Sequence, residues 1–110
     1  MICDRYDTIV VPFPFADIPV LKRRPAVVIS GPVFNSGNGA TVVAIITTAK
    51  ASAWPSDVSL EDLDIAGLRQ SCIIRWRLAT ISNTLISSLL GHLSTRDRLA
   101  CEQQFATLTV

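Results

Sequence analysis

Short apolar runs rich in β-branched residues, separated by turn residues, are the main pattern along this 110-residue chain. Five such runs predict strands over residues 8–13, 26–30, 41–48, 57–60 and 72–78. The runs VVI and VVAII contain no polar interruption, which is typical of strands that are buried on at least one face. The strand content of the fold is therefore spread over the first three quarters of the chain.

Helical signals come late. The leucines of residues 82–90 favour a short helix, and Ser94, followed three residues later by Asp97, resembles a capping box that opens a final helix. The segment 31–39, GPVFNSGNG, predicts a mobile loop, because Gly, Asn and Ser favour turns. Short strands followed by late helices predict a mainly β fold, a small β-barrel with helical decoration, as one domain over residues 1–110.

Composition adds a partner to this picture. Apolar residues make up 49% of the chain and charged residues 17%, which is apolar for so small a domain. The excess suggests either an unusually full core or a face covered by a partner, and a homodimer would provide such a partner. No apolar run approaches the roughly 18 residues of a membrane span, and the N-terminus has no signal-peptide pattern. We therefore expect a cytoplasmic protein with no membrane partner.

Metal and thiol chemistry have little support in the sequence. Cys3, Cys72 and Cys101 are an odd set without CxxC spacing, so they predict neither a disulfide framework nor a zinc site. The single histidine, His92, has no partner motif around it and is interpreted as a structural or surface residue. We expect no cofactor and no metal.

The clearest candidate chemistry lies in a basic segment between the first two predicted strands. Lys22, Arg23 and Arg24 are consecutive, although the net charge of the chain is only +1. Pro25 pushes Arg24 toward an extended backbone at the mouth of the second strand. With Phe15 in the preceding loop, this Arg suits a bound phosphate with a base stacked nearby. The alternative is a solvated basic turn, which is common on protein surfaces.

The whole block, residues 11–30 with the sequence VPFPFADIPVLKRRPAVVIS, resembles the N-terminal signature of the MazF/PemK-type toxins of bacterial toxin–antitoxin pairs. The later segments VVAIITTA, SCIIRWRLATI and LGHLS resemble further parts of that family in the same order. The resemblance covers nearly the whole chain. It implies an SH3-like β-barrel with a C-terminal helix.

The resemblance also implies a site. Arg24 and Thr47 match the catalytic pair of the family, and Thr48 would take the place of Thr47 if the register were wrong by one residue. In the family, some members carry an acidic residue where this chain has Trp76, so no general base is assigned. The residues expected to contact RNA are Phe15, Lys22, Arg23, Thr48, Arg75 and Arg77.

The implied function is a sequence-selective, metal-independent endoribonuclease toxin of a type II toxin–antitoxin system, which cuts single-stranded RNA by attack of the 2′-OH on the phosphate. The implied partners are single-stranded RNA, a cognate acidic and partly disordered antitoxin, and a second copy of the chain. Two alternatives stay open: a non-catalytic RNA- or protein-binding relative, and a gyrase-inhibiting CcdB-type toxin on the same fold. Against the latter, the chain ends Leu-Thr-Val where CcdB-type toxins need Trp-Gly-Ile.

Overall fold

The computed structural model describes residues 1–13, 22–48 and 53–110 of the chain. The elements follow in the order β1 (Asp7–Phe13), β2 (Lys22–Val28), α1 (Pro32–Asn38), β3 (Ala40–Thr48), β4 (Val58–Ser59), β5 (Cys72–Ser82), a short 3-10 helix (Asn83–Leu85), β6 (Ser88–His92) and α2 (Thr95–Phe105). No helix in the described ranges is both long and apolar enough to cross a membrane.

The six strands form one curled sheet with the order β4-β5-β3-β2-β1-β6, in which every pairing between described strands is antiparallel. This curled half-barrel, with α2 at its C-terminal end, confirms the predicted mainly β, SH3-like fold. The pairings β1–β2, β2–β3 and β4–β5 join strands that are consecutive in the chain, whereas β3–β5 and β1–β6 join strands that are not.

The sheet is buried on both faces, which explains why the central strands are continuously apolar. On one face, here called the α2 face, Val27, Ala44 and Ile46 pack in a cluster that includes Cys101 of α2. On the other, here called the N-terminal face, Val28 and Val43 pack in a cluster with Cys3. Alternation along each strand therefore decides which of the two faces a side chain meets.

The second strand begins earlier than predicted, so that Arg24 lies inside β2 and not at its mouth. Pairing of β2 with β1 covers Lys22 to Val27, whereas pairing with β3 starts only at Ala26. Pro25 has no N–H to donate, which explains how it fits at this boundary between two-sided and one-sided pairing.

The loop predicted over residues 31–39 is wrong for most of its length, because residues 32–38 form α1. Pro32 opens the helix at a position where its missing N–H costs nothing, and Gly39 closes it with a left-handed φ of 63°. The buried Asn35 side chain donates to the carbonyl oxygens of Cys3 (2.9 Å) and Ser30 (3.2 Å). The bond to Cys3 joins residues 32 positions apart and holds the segment against the N-terminus. Local composition does not reveal such a bond.

The helix predicted over residues 82–90 is also wrong. Residues 83–85 form a single 3-10 turn, and β6 follows and pairs with β1 at the sheet edge. The leucines that suggested a helix are largely exposed, with Leu85 at 47% and Leu89 at 54%. Backbone pairing with β1, such as the Ser87 N–H to the Val10 carbonyl at 2.9 Å, overrides their helical spacing.

The final helix is confirmed, together with its N-cap. The Ser94 hydroxyl accepts from the Asp97 N–H at 3.2 Å. The Asp97 carboxylate does not return to the cap but accepts from the backbone N–H groups of Glu61 and Asp62. Asp97 thereby ties α2 to the acidic segment that precedes β5.

Two carboxylates of the acidic segment 57–64, those of Asp57 and Asp62, form ion pairs with arginine side chains. Asp62 accepts from the Ser94 hydroxyl and from Arg96 Nη2 at 2.8 Å. These two donors lower the pKa of the Asp62 carboxyl. The Asp57 carboxylate forms its ion pair with Arg75.

Candidate functional site

Arg24 and Thr47 lie on neighbouring strands, each two residues beyond the end of the β2–β3 pairing. That pairing ends with Ala26 and Ile45, and the same register continued by two residues leads to Arg24 on β2 and Thr47 on β3. The two residues that sequence matching selected are therefore in register at the same end of the two strands.

Both side chains lie on the N-terminal face of the sheet. Arg24 is two residues from Ala26 and Thr47 is two residues from Ile45, and both apolar residues belong to the cluster on that face. On the outer sides, Arg24 pairs with Val11 of β1 and Thr47 pairs with Ile73 of β5. The Arg24–Thr47 pair therefore sits in the middle of the sheet, with apolar neighbours on either side.

The guanidinium of Arg24 has an unused donor. Its side chain is half-buried, and its Nε atom is buried with no hydrogen-bond partner in the described part of the chain. An N–H group in this situation is costly unless it finds an acceptor. An anionic oxygen would satisfy it, and the planar fork of an Arg is suited to a phosphate.

Arg23 and Thr48 are placed by the same alternation on the opposite, α2 face of the sheet. Arg23 is exposed and Thr48 half-buried. Lys22 begins β2, and its side chain lies outside the described part, as does the whole of Phe15. RNA contacts by these four residues stay predictions.

Arg75 lies on the N-terminal face, because it pairs with Ile45, two residues before Thr47. Its guanidinium makes a two-pronged contact with Asp57, from Nε to Oδ1 at 3.1 Å and from Nη2 to Oδ2 at 2.8 Å. Only 17% of the Arg75 side chain and 10% of the Asp57 side chain are exposed. Arg75 is therefore largely buried and already bidentate to a carboxylate, and its contact with RNA stays a prediction.

The Arg75–Asp57 ion pair shifts the pKa of each group in the direction that favours its charged form. Hydrogen bonds from Arg75, aided by a bond from the Trp54 N–H, lower the pKa of the Asp57 carboxyl. The same pairing raises the pKa of the Arg75 guanidinium. Asp57 is thus a carboxylate near the candidate site, but its lowered pKa makes it a weak proton acceptor.

Trp54 completes this arrangement, and sequence reasoning missed it together with Asp57. The Asp57 N–H donates to the Trp54 carbonyl at 3.0 Å, and the Trp54 N–H donates to Asp57 Oδ2 at 2.9 Å. The guanidinium carbons of Arg75 and Arg77 lie 5.2 Å and 6.0 Å from the centre of the Trp54 ring. The pattern Trp-Pro-Ser-Asp is a turn signal that could have indicated the local loop, although not its arginine partners.

Trp76, at the position where some family members carry an acid, is a core residue. Its ring packs against Phe105 of α2 at 5.8 Å, and its Nε1 donates to the Ser56 carbonyl at 2.8 Å. The register between β3 and β5 shifts here, since Ala44 pairs with Leu78 while Ile45 pairs with Arg75. Alternation from Ile74 places Trp76 on the α2 face, and the guanidinium groups of Arg75 and Arg77 both lie near the Trp54 ring.

The remaining candidate groups are buried or separate from this face. All three cysteines are free and buried, and burial raises the pKa of Cys101 to about 12. His92 is exposed at the end of β6. Among residues 1–13, 22–48 and 53–110, no group of three or more His, Cys, Asp or Glu side chains could hold a metal ion.

The family described as PemK-like, MazF-like toxins of type II toxin–antitoxin systems matches residues 4–109. The chain belongs to this family. The predicted resemblance is thereby confirmed over nearly its full length, and no curated protein matches the chain in sequence.

Solved structures agree with this family fold at low sequence identity. An endoribonuclease from a mycobacterial species, in complex with its cognate antitoxin, has a TM-score of 0.78 at 14% identity, covering 97% of this chain and 94% of the other. The Mycobacterium tuberculosis toxin MazF-mt6 has a TM-score of 0.74 at 18% identity, with 92% and 93% covered. MazF in a MazE–MazF structure from Deinococcus radiodurans has a TM-score of 0.77 at 15% identity, with 99% and 97% covered.

Proposed function

We propose that this chain is a sequence-selective endoribonuclease toxin that cuts single-stranded RNA without a metal. The observation that supports the proposal is that Arg24 and Thr47 lie in register on one face of the sheet, and that a buried Arg24 donor lacks a hydrogen-bond partner in the described part of the chain. Membership of the toxin family supports the same conclusion. The groups needed to bind and polarise a phosphate are therefore supplied by the protein itself.

In the proposed reaction, the 2′-OH of one nucleotide attacks the adjacent phosphorus, and the bond from phosphorus to the 5′-oxygen breaks. The products are a strand ending in a cyclic phosphate and a strand with a free 5′-OH. Arg24 donates to the non-bridging oxygens, where negative charge grows in the transition state. The Thr47 hydroxyl donates to the same phosphate from the neighbouring strand and fixes its position.

The surrounding residues would bind the flanking strand. Lys22, Arg23 and Arg77 are proposed as phosphate contacts, which position RNA without reading its sequence. Phe15 is proposed to stack on a base and Thr48 to contact the strand beyond Thr47. Selectivity for particular cleavage sequences would come from base contacts outside the Arg24–Thr47 pair.

We also propose two protein partners. The toxin family, and the antitoxin complexes among the matched structures, support a cognate antitoxin for this chain. An acidic, partly disordered antitoxin tail would become ordered on the face that carries Arg24 and would exclude RNA from it. A second copy of the chain is supported by the apolar composition and by large exposed apolar side chains such as Val33, Phe34 and Leu78.

The decisive experiment is incubation of the purified protein with a long single-stranded RNA in EDTA, with the ends mapped by primer extension. We expect discrete cuts that carry cyclic phosphate ends, and no cuts in DNA of the same sequence, because DNA lacks the 2′-OH. Cleavage that disappears in EDTA and returns with magnesium would overturn the metal-independent reaction. Tight RNA binding without cuts would favour the non-catalytic alternative.

A further inference from the structure

At the edge of the sheet, next to the candidate site, lies a group of contacting side chains that takes no part in the proposed cleavage step. It consists of Trp54, Asp57, Arg75 and Arg77, here called the Trp54 platform. Building on the proposed function, we propose that Trp54 is a stacking surface for one nucleobase of the bound RNA, and that Arg75 is a positioning residue for Trp54 and not a phosphate contact.

The first support is that Trp54 is exposed although it is held in place. Its side chain is 39% exposed. Two hydrogen bonds close the Trp-Pro-Ser-Asp turn: the Asp57 N–H donates to the Trp54 carbonyl, and the Trp54 N–H donates to the Asp57 carboxylate. Pro55 restricts the backbone inside the turn. An exposed aromatic ring on a fixed backbone loses little conformational entropy when a base stacks on it.

The second support is the state of the arginine beside it. The Arg75 guanidinium is bidentate to Asp57 and lies 5.2 Å from the centre of the Trp54 ring. Together, Arg75 and Asp57 carry no net charge, so they attract a phosphate weakly. Their geometry instead supports the ring from the strand below it.

The third support is the position of the platform relative to the Arg24–Thr47 pair. Thr47 pairs with Ile73, and Arg75 follows two residues later on the same face, about 7 Å further along the strand. A base next to a phosphate bound by Arg24 can therefore reach Trp54. The platform would act on the nucleotide adjoining the cut.

The test uses the full-length protein and a single-stranded oligoribonucleotide made uncleavable by 2′-O-methylation. Stacking should quench the fluorescence of Trp54 on binding, and Trp54→Phe should lose that quench while keeping most of the affinity. Trp54→Ala should bind about 5- to 150-fold more weakly, the range found when a base loses its stacking partner. Leu89→Ala, an exposed apolar residue on β6 at the far edge of the sheet, is the matched control and should bind as wild type does.

Abasic substitution locates the base. Removing one base at a time from the oligoribonucleotide should abolish the quench at a single position and leave it elsewhere. A quench that is absent, or insensitive to every abasic site, would overturn the platform, as would normal RNA affinity in Trp54→Ala. If that variant instead fails to bind only the antitoxin, the ring serves the protein partner and the proposal is overturned.

The role of Arg75 is tested by the salt dependence of binding. The double variant Asp57→Asn with Arg75→Gln keeps the net charge of the pair, and its slope of log affinity against log salt should equal that of wild type. Arg77→Gln should reduce the slope by about one, as expected for a lost phosphate contact. Equal reductions in both variants would return Arg75 to the phosphate contacts and overturn its positioning role.

A double-mutant cycle completes the design. The loss of affinity from the Asp57→Asn, Arg75→Gln variant should vanish when Trp54 is already Ala, because the pair acts through the ring. Additive losses would contradict this coupling. Both readouts measure binding, so they remain interpretable if the chain proves not to cleave RNA.

Discussion

Arg24 and Arg75 lie on the same face of the same sheet, yet their surroundings are opposite. Arg24 has a buried Nε with no hydrogen-bond partner in the described chain, and it lies on the same face of the sheet as Thr47. Arg75 gives two donors to Asp57 and lies against the ring of Trp54. The sequence presents both only as arginines next to strand residues.

The difference separates a ligand-binding cation from a structural one. A guanidinium that already has a carboxylate in both prongs gains little from a phosphate, since it must first give up a charge-assisted pair. A guanidinium with an unsatisfied buried donor gains from any anion that reaches it. The comparison therefore supports the proposal that Arg24 binds the phosphate while Arg75 supports the site.

The largest expected effect is the loss of cleavage in Arg24→Ala. Removing a fixed donor to a transition-state charge costs about 10²- to 10³-fold in rate. Arg24→Lys should also be poor, because a point charge does not replace the two-pronged fork. Single-turnover cleavage rates and a thermal melt of each variant provide the measurement. A normally folded Arg24→Ala protein that cleaves as wild type does would mean that Arg24 is not the phosphate ligand.

Thr47→Ala should be nearly as damaging, and Thr48→Ala should be milder. The strand places the two hydroxyls on opposite faces, and only that of Thr47 is on the face of Arg24. The same cleavage assay, with the two variants side by side, measures the contrast. The reverse order would show that the site uses the other face of β3.

Stability should distinguish the two arginines in the opposite sense to activity. Arg75→Ala leaves the mostly buried Asp57 carboxylate unpaired and should lower the urea midpoint, whereas Arg24→Ala removes an unsatisfied donor and should change it little. Urea unfolding at neutral pH, followed by circular dichroism, provides the comparison. Equal midpoints would indicate that the Arg75–Asp57 pair contributes nothing to the fold.

The smallest effect concerns pH. Because Arg75 lowers the pKa of Asp57 in the folded protein, the pair stabilises the fold fully above the unfolded-state pKa of about 3.9 and loses that contribution as the pH falls through the folded pKa. The drop in urea midpoint from pH 7 to pH 3 should be smaller in Asp57→Asn than in wild type. Asp62→Asn is the reference variant for this comparison, because the pKa of the Asp62 carboxyl is lowered by Ser94 and Arg96 and not by Arg75. An Asp57→Asn variant that loses as much stability as wild type would contradict the lowered pKa.

The sequence alone predicts the strand-rich fold, the final helix with its Ser94 cap, and the family. It also selected Arg24 and Thr47, since these residues sit in motifs whose order along the chain is preserved. Such features are local: a β-branched run, a cap three residues from its partner, or an Arg before a Pro can be recognised within a few residues.

Features that depend on distant partners become visible only in the folded chain. The helix α1 is fixed by Asn35 bonding to Cys3, and β6 exists because β1 offers it an edge. The contact of Asp57 with Arg75 joins residues 18 positions apart across a strand pair and a bulge. Each of these outcomes follows from which backbone or side-chain group lies opposite in space, and local propensity carries no information about that.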